Sequence, residues 1–454
     1  MEKENKMGSM PIVKLVTTMS LPMIASMLVQ ALYNVIDSMF VSRVSEEALT
    51  AVSLAFPAQN LMIGVATGTA VGVNALLSKS LGEKNYKRAN AIAANGVLLA
   101  IVGFLIFLVF GLFGAEVFFK AQTDNPEIIS QGVDYLQVCC CFSFGVFLQI
   151  IFERLMQSTG RTFYTMITQG VGAIANIILD PIFIFGYFGV PAMGAKGAAV
   201  ATVLGQIIAG IIAIILNQKK NSDIQLSLKG FKPDRHIIGK IYSIGVPSII
   251  MVAVGSIMTF SMNKIVIAFT ETAAAVFGVY FKLQSFIFMP VFGLNNGVIP
   301  IIAYNYGAKN KKRVTKTIKT SLVFACTFML IGFSLMQLIP DVLLSIFNAS
   351  EEMTRIGVVA LRTISISYLA AGFSVVIISV FQAFGKGLFS MFVSIARQLV
   401  VLIPAAYLLA QTGVLDNVWW SFPIAEVMSV AVAGIFFIHL YKSTISKLNQ
   451  DNKI

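Results

Sequence analysis

Along almost its whole length the chain is apolar, and short polar segments interrupt it at regular intervals. Apolar stretches of about 18 residues or more are long enough to cross a hydrocarbon core of roughly 30 Å as helices. Such stretches recur twelve times. The first six are predicted near 13–38, 49–78, 91–113, 133–156, 164–187 and 194–216. The second six are predicted near 240–268, 276–303, 318–340, 357–382, 390–411 and 418–441. Between them lies the one long polar segment, 217–239, which contains Asn-Gln-Lys-Lys-Asn-Ser-Asp and Pro233 and reads as a linker. The predicted organisation is a tail over 1–12, a first lobe over 13–216, a linker over 217–239, a second lobe over 240–441 and a tail over 442–454.

The pattern repeats at an offset of 225 residues. Pro22 returns as Pro247, Gly72 as Gly297, Gly132 as Gly357, and Gln157 with Gly160 as Gln382 with Gly385. The segment Gly82-Glu-Lys-Asn-Tyr-Lys-Arg88 returns as Gly307-Ala-Lys-Asn-Lys-Lys-Arg313, with five of seven residues unchanged and no gap. Six crossings per half is an even number, so both copies enter from the same side and the repeat is parallel. The expected fold class is therefore an all-α polytopic membrane protein, with twelve transmembrane helices in two six-helix lobes.

Composition agrees with this pattern. Hydrophobic residues make up 57% and charged residues 12%, against about 25% charged in an ordinary soluble domain. The charges sort by side. Lys79, Lys84, Lys87 and Arg88 sit in one loop, and Lys219, Lys220, Lys229, Lys232, Arg235 and Lys240 lie at the linker. Lys309, Lys311, Lys312, Arg313, Lys316 and Lys319 occupy the repeat of the first loop, while the alternate loops hold Glu46, Glu47, Asp124, Glu127, Asp341, Glu351, Glu352 and Asp416. The positive-inside rule then places the basic loops and both termini in the cytoplasm of a multi-pass cell-membrane protein. The net charge of +12 is a topology signal and calls for no nucleic-acid partner.

Several chemistries find no support. There is no GxxxxGK[ST] phosphate loop, and the two histidines, His236 and His439, cannot form a HExxH zinc motif. Cys139, Cys140, Cys141 and Cys326 offer neither a disulfide framework nor a zinc spacing and read as packing residues. No nucleophile–base set can be assembled deep in the bundle, so no enzyme is expected, and no cofactor.

The candidates that remain are polar residues within apolar helices, which are costly there and functional by default. Gln30, Asn34 and Asp37 follow at i, i+4 and i+7 on one face of the first helix, which is expected to look into the bundle. Asn176 and Asp180 are i, i+4 on the fifth helix, and Thr202 lies on the sixth. Oxygen ligands of this kind suit a hard cation, H⁺ or Na⁺. Glu426 near Trp419 and Trp420 and Lys282 near the start of the eighth helix are further cavity candidates. Lys264 reads as a snorkelling side chain, and Glu153 beside Arg154 as a local ion pair. The arginines otherwise lie almost entirely in loops.

The run Tyr33-Asn-Val-Ile-Asp-Ser-Met-Phe-Val41, the loop Gly82 to Arg88 and its repeat resemble the multidrug and toxic compound extrusion (MATE) family over nearly the whole chain. That resemblance implies export of amphipathic or cationic organic compounds driven by inward H⁺ or Na⁺, through alternating access. Carried over residue by residue, it implies a cation site at Asp37, Tyr135, Asn176, Asp180 and Thr202, with Na⁺ a candidate at Asp37, Asn176, Asp180 and Thr202, and a helix bend at Pro22. The second half lacks the deep acidic residues of the NorM-like branch, so the chain looks closer to the MepA-like or DinF-like members. The expected partners are drug-like small molecules and the bilayer, with the protein a monomer. A flippase for lipid-linked saccharides, which should show arginines facing a central cavity, and a passive channel remain the alternative readings.

Overall fold

A computed structural model describes residues 5–226 and 231–448. Lys229 and the ends of both predicted tails lie outside the described residues. Among the described residues every regular element is a helix.

The spans are α1 (Ile12–Ser42), α2 (Glu46–Gly82), α3 (Tyr86–Phe113), α4 (Pro126–Cys141 with Phe144–Ser158), α5 (Thr162–Phe185) and α6 (Ala195–Lys220). Their repeats are α7 (Arg235–Ile267), α8 (Glu271–Gly307), α9 (Lys311–Leu338), α10 (Glu351–Ser365 with Tyr368–Ala383), α11 (Gly387–Ala410) and α12 (Ser421–Ser443). Among the described residues ten helices are long and apolar enough to cross a membrane, or up to twelve if each bent pair is one span.

Two expected single helices are in fact broken. The segment expected over 133–156 bends by 43° between Cys141 and Phe144, and its repeat, expected over 357–382, bends by 51° between Ser365 and Tyr368. The span expected over 390–411 runs through a π-helical stretch, Ala396–Leu402. A π turn accommodates one extra residue and is often found at functional positions.

The chain falls into two compact units whose boundary lies inside helices. One holds Met1–Asn5 and Ala25–Ile249, and the other Lys6–Ile24 and Ile250–Ile454. Helix α1 thus changes unit two residues after Pro22, and α7 changes unit two residues after Pro247. Both helices continue unbroken through these prolines. A proline removes one backbone hydrogen bond and strains the preceding turn.

The crossing halves are seated by a repeated small-residue motif. Gly68-Thr-Ala-Val-Gly72 on α2 returns as Gly293-Leu-Asn-Asn-Gly297 on α8. In the first unit a Cβ on Gly72 would collide with the Ile241 carbonyl of α7, and one on Gly68 would lie 2.8 Å from the Gly245 carbonyl. In the second unit a Cβ on Gly293 would lie 2.6 Å from Ile24 Cα, and one on Gly297 2.9 Å from Ser20 Cα. Glycines four apart let two backbones touch where lipid supplies no hydrophobic drive. Ser20 adds a hydrogen bond from its hydroxyl to the Leu294 carbonyl, 3.2 Å.

Candidate functional site

The first unit brings most of the expected acceptors together. Asp180 is fully buried on α5, one residue before Pro181, and Asn176 lies one turn earlier at 3% exposure. With the Asn176 amide oriented so that both ends are satisfied, its nitrogen donates to Asp180 Oδ2 at 3.2 Å. Its oxygen then accepts from both the hydroxyl and the backbone N–H of Thr202, each at 3.2 Å. Helix α6 supports this contact because Gly205 allows close approach to α5; a Cβ there would lie 2.8 Å from the Gly172 carbonyl.

Asp37 of α1 comes within hydrogen-bonding reach of Asp180. Its Oδ1 is buried with no hydrogen-bond partner among the described residues. A buried orphan oxygen beside a second carboxyl group is a costly arrangement for a structural role alone, because an unsatisfied polar atom away from water retains its full desolvation penalty. A proton or a hard cation between the oxygens would remove it.

Tyr135 is buried on α4 near Asp37. Its hydroxyl accepts from Gln59 Nε2 at 3.1 Å, and the same amide donates to Cys139 Sγ at 3.3 Å. Gln59 was not anticipated. The signal was available, since it is a glutamine inside an apolar helix two residues beyond Pro57. Tyr33, one turn before Asp37, also lies close to both carboxyl groups. It belongs to the Tyr33–Val41 run, in which a tyrosine by itself carries no signal of a site.

Other candidates are not gathered here. Gln30 and Asn34 are exposed, and among the described residues neither side chain makes a hydrogen bond. On the same face Tyr33 and Asp37 are part-buried. Pro22 belongs to the second unit. Lys282 is exposed, with its ammonium 5.9 Å from the Phe347 ring centroid, and Lys264 stands 5.1 Å from that of Phe260. Glu153 is held by neutral donors rather than simply by its neighbour: Thr168 Oγ1 at 2.8 Å, Gln169 Nε2 at 2.8 Å and Gln149 Nε2 at 3.1 Å. Cys139 and Cys140 are buried as expected of packing residues, but Cys326 is exposed.

In the second unit Glu426 is buried and pairs with Arg397 at 3.4 Å. Arg397 lies in the π-helical stretch of α11, so this arginine is inside a span and not in a loop. Tyr280 and Tyr368 are fully buried close by, and Glu426 Oε1 has no hydrogen-bond partner among the described residues. Among the described residues no three His, Cys, Asp or Glu side chains cluster as metal ligands.

The comparisons with known proteins agree with this architecture. The family model described as MatE matches residues 22–182 and again 247–408, once in each half. A Staphylococcus haemolyticus protein named multidrug export protein MepA is 26% identical over 428 residues, covering 94% of this chain and 93% of its own. A solved outward-facing conformation of a multidrug resistance MATE family transporter superposes with a TM-score of 0.91 at 24% identity, over 98% of this chain and 99% of that one. A transporter of the wider MOP superfamily from Pyrococcus furiosus, described as having a binding pocket of reversed polarity, superposes at 0.89 with 25% identity over 99% of both chains. With ten to twelve candidate spans among the described residues and a family model matched twice along its length, this multi-pass integral membrane protein belongs to the MatE family.

Proposed function

We propose that the protein is a secondary active exporter of amphipathic or cationic organic compounds in the cell membrane, with both termini cytoplasmic and the coupling ion entering at Asp37 and Asp180. The observation that carries this reading is the carboxyl pair, with Asp37 Oδ1 buried and unpartnered. Two carboxylates in contact repel when both are charged and accept a cation gladly. H⁺ satisfies them by bridging. Na⁺ would draw on the Asp37 and Asp180 carboxylates, the Asn176 amide oxygen and the Thr202 hydroxyl, a hard-oxygen set.

Export requires that ion and substrate each alter the other's affinity, and that coupling is reciprocal. Alternating access of the two halves supplies the two states, with α1 adjusting near Pro22 as the ion loads. Methionine, phenylalanine and glutamine side chains suit varied apolar or cationic substrates. The relative named for multidrug export supports this substrate class, whereas the reversed pocket polarity described for the Pyrococcus protein is a reminder that the fold alone does not fix it.

The test is efflux of a fluorescent cationic dye from proteoliposomes under separately imposed pH and Na⁺ gradients. Export should follow one gradient and vanish in Asp37→Asn. Dye movement that ignores both gradients would replace this reading with a channel, and absence of dye movement would turn attention to a flippase.

A further inference from the structure

The first unit also contains a cavity of about 250 Å³ lined by Leu76, Arg88, Ile92, His236, Ile237 and Lys240. Its polar lining is basic and comes from two helix starts, Arg88 in the first turn of α3 and His236 with Lys240 in the first two turns of α7. Two acids stand near. Glu83 Oε2 is 3.3 Å from Arg88, and Asp234 Oδ1 is committed to accepting the backbone N–H groups of His236 and Ile237 at 2.8 and 3.2 Å. Among the described residues Lys240 has no ion-pair partner.

The internal repeat explains why the cavity is open. Arg313, the copy of Arg88, donates to the backbone carbonyls of Met7 and Met10 at 2.9 and 2.8 Å and to Asn305 Oδ1 at 3.0 Å. The second unit therefore fills the place with its own chain. In the first unit the positions corresponding to Met7 and Met10 are Lys232 and Arg235, and the guanidinium turns to Glu83 instead. Where the second unit has Pro11 and Leu15, the first unit has His236 and Lys240.

We propose that this cavity binds the phosphate group of an anionic ligand. A guanidinium fork, an ammonium and an imidazole converging at a membrane-surface helix end are suited to phosphate oxygens. Leu76, Ile92 and Ile237 offer an apolar wall for the carbon skeleton that a phosphate ester carries. Acidic phospholipid headgroups and free phosphate share this chemistry, and basic pockets between spans are known to take the former.

Native mass spectrometry of the full-length protein, incubated with phosphatidylglycerol, phosphatidylcholine or inorganic phosphate, tests the assignment. Phosphatidylglycerol should be retained over phosphatidylcholine, and Lys240→Gln should weaken that retention roughly fivefold. Arg88→Gln with Lys240→Gln should weaken it further, while Lys316→Gln in the second half should leave it unchanged. Displacement of the lipid by inorganic phosphate would identify a free anion as the ligand; resistance to displacement would identify the headgroup. Equal retention of both lipids, or a Lys240→Gln protein that behaves as wild type, would overturn the proposal. Lys240→Gln suffices for this even where Arg88→Gln fails to fold, because it removes no ion pair of the protein.

Discussion

Helix α2 is capped by Ser45, whose hydroxyl accepts the N–H of Ala48 at 3.0 Å, and α8 is capped by Thr270, whose hydroxyl accepts that of Ala273 at 3.0 Å. Lys84 and Lys309 hold the same left-handed backbone, with φ of 56° and 53°, just before α3 and α9. The two halves therefore repeat down to their caps and turns. Their buried chemistry does not repeat. At the offset of 225, Asp37 becomes Met262, Tyr135 becomes Ala360 and Glu153 becomes Ile378. The positions answering to Asn176, Asp180 and Thr202 are apolar whether or not the extra π-helical residue of α11 is counted. Conversely Arg397, Glu426, Tyr280 and Tyr368 stand where the first half has glycine, aliphatic residues, Ala55 and Ser143. Duplicated backbone constraints persisted because both copies need the same turns and close approaches. Polar residues inside spans are costly, so each half keeps only those it uses.

The largest effect should come from breaking the first half's chemistry. Asp37→Asn and Asp180→Asn should each abolish gradient-driven dye export while leaving expression and thermal unfolding near wild type, since each removes a charge from a crowded pair. Met262→Asp should not restore export to Asp37→Asn, because the second half lacks the amide and hydroxyl partners. Rescue by Met262→Asp would mean that the halves are chemically interchangeable after all.

The second half's pair should respond in the opposite manner, through stability before transport. Glu426→Gln leaves the part-buried Arg397 guanidinium without its carboxylate, and an unsatisfied partner of this kind costs about 1–3 kcal/mol. Replacing both, as in Arg397→Met with Glu426→Gln, should recover most of that loss. Thermal unfolding in detergent measures both, and a double variant no more stable than the single one would show that the pair is not the reason these residues are there.

Breaking what the halves share should instead damage both alike. Gly72→Ala and Gly297→Ala each push a methyl into a neighbouring helix, against the Ile241 carbonyl in one unit and Ser20 in the other. Overpacking of this kind costs about 1–3 kcal/mol. Similar losses are expected in the two variants, and a difference greater than about 1.4 kcal/mol, a factor of ten in equilibrium, would show that one seam yields more easily.

The sequence made the spans, the repeat and most of the carboxyl site readable for one reason: apolar length and intramembrane polarity are both local signals. Asn176 and Asp180 share a face as their spacing suggested, and Thr202 lies against Asn176 in the set that the family resemblance implied. Gln59 and Tyr33 are not legible in the same way, because a lone glutamine or tyrosine carries little signal until a fold supplies its partner. The breaks in α4 and α10 left no proline at the bend, and hydropathy alone runs through them. The passage of α1 and α7 between units was written in the paired Gly-x-x-x-Gly motifs, but which helix fills such a groove depends on the fold.

The smallest expected effect tests the shared caps. Asn85 accepts the backbone N–H of Arg88 at 3.0 Å, and Asn310 accepts that of Arg313 at 3.1 Å. Replacing an asparagine cap by alanine costs typically about 1 kcal/mol. Geometry alone would make Asn85→Ala and Asn310→Ala equal. They differ in what the freed turn carries, because Arg313 also anchors Met7 and Met10, whereas among the described residues Arg88 pairs with exposed Glu83 alone. Fraying at Asn310 should loosen that anchor, so Asn310→Ala is expected to lower the unfolding temperature more. Equal shifts would mean that the anchor holds without the cap, and that the divergence between the two loops lies in their ligands rather than in their stability.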